Sequence, residues 1–201
     1  MSGQLVLWII ASYLVGAIPT SYLTVRLLKG QDLRTLGSGN LGATNLYRVL
    51  GWKYAVPVGI FDLLKGAVPV LYFAPLAGGG DRTAILLGMA AVVGHVFSVF
   101  AGFKGGKGVA TGAGVVLGLA PWAFVAALVT WIILVKVSGY VSLASLGAAL
   151  MLPPAVYLLH PERRPMIWLF AGLAGAIVLF HRANIRRLLA GTENRFGRRA
   201  A

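Results

Sequence analysis

The chain has 201 residues, 58% of them hydrophobic and 11% charged, with a net charge of +13 and a mean hydropathy of +0.83. That balance excludes an ordinary soluble domain, and the lack of cysteine excludes disulfides, thiolate metal ligands and a cysteine nucleophile. Apolar runs of roughly 20 residues recur, the length a helix needs to cross about 30 Å of hydrocarbon. The alternating ten-residue pattern of outer-membrane strands is missing, so the expected fold class is all-α, an integral membrane helical bundle. Basic residues stand at the ends of the apolar runs, where positive-inside sorting puts them. Membrane lipid and small anionic substrates are therefore the expected partners, and nucleic acid is not.

The first apolar run, residues 5–28, is longer than a signal-peptide core, with no basic region before it and no small-residue cleavage pattern. It reads as a first span with the N-terminus outside. Gly16 and Pro19 should kink it, because proline removes a backbone donor and crowds the preceding turn. Arg26 and Lys29 mark its cytoplasmic end. The polar stretch that follows, QDLRTLGSGNLGATNLYRVLGWK, carries Gly37, Gly39 and Gly42. A helix starting just after Gly39 and capped by Ser38 would put Asn40, Thr44 and Arg48 on one face. Those are two neutral hydrogen-bonding groups and a guanidinium suited to bidentate phosphate; an interfacial helix with a solvated polar face fits the same pattern.

Residues 53–76 form the second span. Asp62 and Lys65 are three apart and adjacent on its surface, and intramembrane charge costs about 2.5 to 3.5 kcal/mol on insertion scales, so a structural ion pair is the better reading. GGGDR at 78–82 reads as an external turn. Residues 83–100 form the third span, with His95 near its cytoplasmic end. A lone histidine there is more often a packing residue than a catalyst, although its place just before the next loop sets it close to a site.

That loop, AGFKGGKGVATGAG at 101–114, is the second glycine-rich stretch. Gly102, Gly105, Gly106 and Gly108 let backbone N–H groups approach a ligand, and Lys104 and Lys107 add cations. The helix expected from Val109 would aim its first N–H groups at the loop, as in phosphate sites at helix N-termini. A basic turn that merely orients two spans would look the same. The spacing is not that of a Walker loop.

From residue 109 to 137 the chain stays apolar for 29 residues, about 44 Å as one helix, too long for one perpendicular span. Gly118 and Pro121 divide it into helices at 109–119 and 122–137. A sixth span at 140–159 contains Pro153 and Pro154, HPERRP makes a turn, and a seventh runs over 166–180. Seven spans place the polar regions and the C-terminus on one face, with fourteen of the 18 Lys and Arg inside, Arg198 and Arg199 among them. Arg82, Arg163 and Arg164 fall outside and Lys65 is embedded. In the tail, HRANIRRLLAGTENRFGRRA, a short amphipathic helix from His181 puts His181, Asn184 and Leu188 on one face and Arg182 and Arg186 on another. Holding anionic lipid is the plainer use of such a helix. With no internal repeat visible, residues 1–201 read as one domain.

The five acids, Asp32, Asp62, Asp81, Glu162 and Glu193, are scattered with no pair at helix spacing, so no metal and no other cofactor is expected. The carboxylate array of metal-dependent CDP-alcohol phosphotransferases is absent. So is the His-x-x-x-x-Asp dyad of acyl-CoA glycerolipid acyltransferases, since Phe100, Pro165 and Arg186 stand five residues past His95, His160 and His181. What remains suits recognition of two phosphates beside lipid, in a transfer carried by positioning and charge stabilisation. An organic-phosphate transporter or exchanger would also want cations, but at the membrane centre and with a repeated half.

Three stretches, DLRTLGSGNLGATNLYRVLG (32–51), GHVFSVFAGFKGGKGVATG (94–112) and HRANIRRLLAGTEN (181–194), resemble in order the signature motifs of the bacterial acyl-phosphate:glycerol-3-phosphate acyltransferases, the PlsY type. Ser98 departs from the pattern, where proline is expected after His-x-Phe. The resemblance implies an inner-membrane enzyme of seven helices with a cytoplasmic active site, and a monomer is expected. It would move a fatty acyl group from acyl phosphate, not from acyl-CoA or acyl carrier protein, to the sn-1 hydroxyl of glycerol 3-phosphate. By position, Ser38, Arg48, Lys107 and His181 should hold glycerol 3-phosphate and carry the catalysis. Asn40, Thr44, the Gly105, Gly106 and Gly108 backbone and Asn184 should hold acyl phosphate, with His95, Lys104 and Thr111 in the same binding set.

Overall fold

The structure, a computed structural model, describes residues 3–197; Arg198 and Arg199, assigned above to the inside, lie outside the described residues. Regular structure among the described residues is entirely helical, and the chain divides into two compact units between Leu119 and Ala120.

The first unit contains α1 (Gly3–Ala17), α2 (Thr20–Lys29), α3 (Ala43–Leu50), α4 (Trp52–Val68), α5 (Ala74–Leu76), α6 (Asp81–Val96) and α7 (Val109–Leu119). The kink expected at Gly16 and Pro19 is a break of 42° between α1 and α2. Between α4 and α5 lies a π-helical turn, Pro69–Phe73, that periodicity did not foretell. Pro69 has no N–H to return to the Lys65 carbonyl, and the turn widens until the Ala74 N–H reaches the Pro69 carbonyl.

Two helix crossings organise this unit, α1 on α6 and α4 on α7. Both are reciprocal glycine contacts. Gly16 meets the Ala91 carbonyl while Gly94 meets that of Tyr13; Gly66 meets the Thr111 carbonyl while Gly114 meets that of Leu63, and none of the four has room for a Cβ. Lipid tails are as apolar as leucine, so close backbone approach and dispersion, rather than the hydrophobic effect, hold such helices together.

The second unit contains α8 (Pro121–Ser138), α9 (Val141–Leu159), α10 (Ile167–Phe180) and α11 (Arg182–Leu189), so the division expected at Gly118 and Pro121 is present. α9 packs on α8 and on α10, and α11 rests on α9. Gly139, left-handed at φ 74°, ends α8 by donating its N–H to the Val135 carbonyl. At the other end of this helical hairpin the Trp122 N–H donates to His160 Nε2 at 3.2 Å, while His160 Nδ1 lies 3.0 Å from Glu162. HPERRP folds as a 3₁₀-helix, Pro161–Met166, rather than an open turn.

Apolar side chains point outward: Leu7 and Ile10 on α1, Ile60 and Leu64 on α4, and Val129 and Ile133 on α8 are exposed, whereas Asp62, Lys65 and His95 are buried. This distribution fits lipid as the surrounding solvent. Among the described residues, five helical stretches are long and apolar enough to cross a membrane, at Trp52–Leu76, Asp81–Ala101, Pro121–Ser138, Val141–Leu159 and Pro161–Phe180, and the broken α1–α2 pair makes six. α7, with 11 residues, reaches only about 16 Å and is too short to cross alone.

Candidate functional site

The first glycine-rich stretch folds differently from its reading in sequence. α3 begins at Ala43 with Gly42 as its N-cap, so Asn40 precedes the helix, Ser38 does not cap it, and the expected three-residue face reduces to Thr44 and Arg48. Gly37 and Gly39 sit at φ 56° and 71°, a left-handed backbone that no right-handed helix can continue. The loop instead wraps around buried Asn45. Its Oδ1 accepts the Ser38 N–H at 2.8 Å and its Nδ2 donates to the Leu36 carbonyl at 2.9 Å. Beneath lies an apolar cluster of Val25, Leu33, Leu41, Leu46, Val58 and Ala101.

Arg34, given no role from sequence, ties this loop to the second one. Its Nη1 donates to the Ala101 carbonyl at 3.2 Å, its Nη2 pairs with Asp32 at 2.6 Å, and its guanidinium lies 5.4 Å over the Tyr22 ring. Hydrogen bonds from Arg34 hold the Asp32 carboxyl below the usual range.

In the second loop, the Gly105 N–H donates to the Val96 carbonyl at 2.9 Å and the Gly106 N–H to the His95 carbonyl at 3.0 Å. These two donors are already committed, which corrects the expectation that they would cradle a phosphate. Both glycines serve close packing: a Cβ on Gly105 would strike the His95 carbonyl, and one on Gly106 the His95 ring. His95 is thus the buried wall of the loop. The anion donors that remain are the first N–H groups of α7, which no intrahelical carbonyl can accept. They follow Gly108, whose φ is 77° and whose carbonyl accepts the Gly112 N–H at 2.7 Å. Lys104 is exposed and Lys107 half-buried; Thr111 is fully buried, and its hydroxyl has no hydrogen-bond partner among the described residues.

Behind these loops stands the break between α1 and α2. Carbonyls released by the broken helix are taken up by polar side chains from elsewhere: the Ser98 hydroxyl donates to Ala17 and Lys65 Nζ donates to Ile18 at 2.8 Å. Ser98, the departure from the family pattern, therefore has a structural use that proline, lacking a donor, could not serve. Lys65 also pairs with Asp62 at 2.7 Å, as expected, and the Thr20 hydroxyl donates to the same carboxylate at 2.7 Å.

The third motif belongs to the second unit. His181 is buried at the head of α11, its Nδ1 2.8 Å from the Ile177 carbonyl; a carbonyl only accepts, so Nδ1 carries the proton here. Asn184, also buried, donates its Nδ2 to Glu193 at 2.7 Å. Glu193 is the hub, accepting as well from the Ser142 hydroxyl at 2.9 Å and from Arg187 Nε at 2.7 Å. Burial alone would push its carboxyl up, but the bonds from Asn184, Arg187 and Ser142 outweigh burial and hold it below the usual range. Arg182 and Arg186 face outward, so the amphipathic reading of this helix holds. Sequence reasoning missed Glu193 and Ser142; a single acid in an otherwise basic tail was the available signal.

The family model described as Glycerol-3-phosphate acyltransferase matches residues 6–191. The chain belongs to that family. Among glycerol-3-phosphate acyltransferases, the one from Chlorobaculum parvum is 43% identical over 96% of this chain and 97% of its own length. The one from Geobacter sulfurreducens is 45% identical over 98% and 99%. The fold is that of crystal structures of PlsY (YgiH), described as an integral membrane glycerol 3-phosphate acyltransferase. Its glycerol 3-phosphate form matches with a TM-score of 0.90 at 39% identity, over 97% of this chain and 96% of that one. The lysophosphatidic acid form gives 0.85 at 36%, with the same coverage. Within this acyltransferase family frame, the predicted residues divide by unit: Ser38, Asn40, Thr44, Arg48, His95, Lys104 to Gly108 and Thr111 lie in the first, and His181 and Asn184 in the second.

Proposed function

We propose that this bacterial membrane acyltransferase moves a fatty acyl group from acyl phosphate to the sn-1 hydroxyl of glycerol 3-phosphate, giving lysophosphatidic acid and phosphate, the first step of phospholipid biosynthesis. The observation that carries the proposal is near-full-length likeness to an acyltransferase known in a glycerol 3-phosphate form and a lysophosphatidic acid form, the acceptor and the product of this reaction. The transporter reading has no such support.

In this scheme Ser38, Arg48, Lys107 and His181 hold glycerol 3-phosphate. Asn40, Thr44, Asn184 and the loop from Gly105 through Gly108 to Thr111 line the acyl-phosphate side, with Lys104 adding positive charge and His95 backing the loop. Acyl phosphate is a mixed anhydride and already activated, so no covalent nucleophile, metal or cofactor is required. The glycerol hydroxyl attacks the acyl carbonyl carbon, the carbon–oxygen bond to phosphate breaks, and the hydroxyl proton passes to a substrate phosphate oxygen or to His181. With Nδ1 protonated toward Ile177, Nε2 is the nitrogen through which a neutral His181 would accept it. Lys107 and the first N–H groups of α7 stabilise the developing negative charge.

On this reading the enzyme sits in the inner membrane as a monomer and as one functional domain, with the N-terminus outside and the active site and C-terminus cytoplasmic. The count of seven takes α1 and α2 as one broken span and adds the short α7. The deciding experiment supplies the purified, detergent-solubilised chain with palmitoyl phosphate, with and without glycerol 3-phosphate, and no added metal. Phosphate release that requires glycerol 3-phosphate, with an equal amount of lysophosphatidic acid, supports the assignment. A folded, monodisperse sample that releases none refutes it.

A further inference from the structure

The ion pair on α4 holds together the pieces of the first unit that form its polar end. Asp62 and Lys65, each only 2% exposed, anchor the α1–α2 break through Thr20 and the Ile18 carbonyl. The next residue, Gly66, lies against the Thr111 carbonyl in the first turn of α7. One turn of α4 therefore sets the broken helix and the N-terminus of α7 relative to each other. Beside the break is a small recess with room for about one water molecule. Its walls include Asp62, Lys65, His95, Gly105, Gly106 and Leu41, so residues of both glycine-rich loops line the same recess as this pair. In an apolar bundle such a pair is costly, and a glycine contact alone would hold α4 on α7; its position under both loops calls for more than packing.

We propose that Asp62 and Lys65 are positioning residues for the acyl-phosphate side of the site, acting through the Gly105–Gly106 loop and the first turn of α7. The inference rests on the acyl-phosphate reading above. Neither side chain touches substrate in this account; the pair holds the α1–α2 break, which lines the same recess as Gly105 and Gly106.

The test uses the full-length enzyme in detergent. Removing one charge alone would leave the other buried and unpaired, so the variant is the neutral, near-isosteric double substitution Asp62→Asn/Lys65→Met, with Thr20→Val as the milder companion. Unfolding temperature is followed by intrinsic tryptophan fluorescence, and KM is measured for palmitoyl phosphate and for glycerol 3-phosphate, each with the other saturating. The expected result is a KM for palmitoyl phosphate raised about tenfold in the double variant and about threefold in Thr20→Val, with the KM for glycerol 3-phosphate within about twofold of wild type. A pair that serves the fold alone would lower the unfolding temperature and leave both KM values together; that result, or equal rises in both, overturns the proposal. If the double variant is not recovered folded, Thr20→Val decides, and unchanged KM values in it overturn the proposal. If wild-type enzyme forms no lysophosphatidic acid from acyl phosphate, the functional assignment itself fails and the inference falls with it.

Discussion

Replacing Glu193 by alanine is the sharpest test of how the third motif is held. Glu193 is nine-tenths buried and accepts three hydrogen bonds of 2.7 to 2.9 Å, from Ser142, Asn184 and Arg187. Ser142 and Asn184 are buried, so each loses its acceptor with no water to replace it, at about 1 to 3 kcal/mol apiece. Arg187 is partly exposed, can turn to solvent, and adds little. The destabilisation should therefore be about 2 to 6 kcal/mol, which for a chain of this size lowers the unfolding temperature by roughly 4 to 24 °C. Glu193→Gln keeps an acceptor oxygen for Ser142 and Asn184 and loses only the charge-assisted bond to Arg187, so its loss should be about a third as large. Both are measured by tryptophan fluorescence during heating in one detergent. An alanine variant that unfolds within about 2 °C of wild type would refute the view that Glu193 carries this end of the chain.

Because the Glu193 carboxyl is held below its usual range in the folded state, its contribution is complete above the ordinary glutamate pKa and is lost as pH falls through the lowered value. Wild type should lose more unfolding temperature than Glu193→Gln between pH 6 and pH 3.5, and parallel curves would contradict this. Gly114→Ala pushes a methyl into the Leu63 carbonyl and should cost about 1 to 3 kcal/mol by forcing α4 and α7 apart, read as a drop in unfolding temperature. His181→Ala separates two roles by steady-state kinetics: if His181 accepts the proton, turnover at saturating substrate falls by about 10²-fold or more, whereas loss confined to KM for glycerol 3-phosphate makes it a binding residue.

Apolar run lengths located the long membrane helices, because burial in lipid demands about 20 apolar residues wherever a chain crosses, and proline and amphipathic spacing added the breaks and the tail helix. Hence the divisions at Pro19 and Pro121 and the helix after His181 were legible without coordinates, as was the pairing of Asp62 with Lys65, which follows from helical spacing and the cost of lone charge. Motif order was enough to name the family. Backbone conformation within the glycine loops was not legible, since glycine permits left-handed turns without announcing them. The helix projected from Gly39 therefore starts at Ala43, and Gly105 and Gly106, read as phosphate donors, bond instead to Val96 and His95. Contacts between distant segments also escaped: Arg34 on Ala101, Ser98 on Ala17, Glu193 on Ser142 and the reciprocal glycine crossings of α1 with α6 and α4 with α7. Local periodicity records which face of a helix is apolar, but which carbonyl a buried donor meets is decided only when separate helices pack, and in a lipid-embedded fold those meetings set the geometry of the loops.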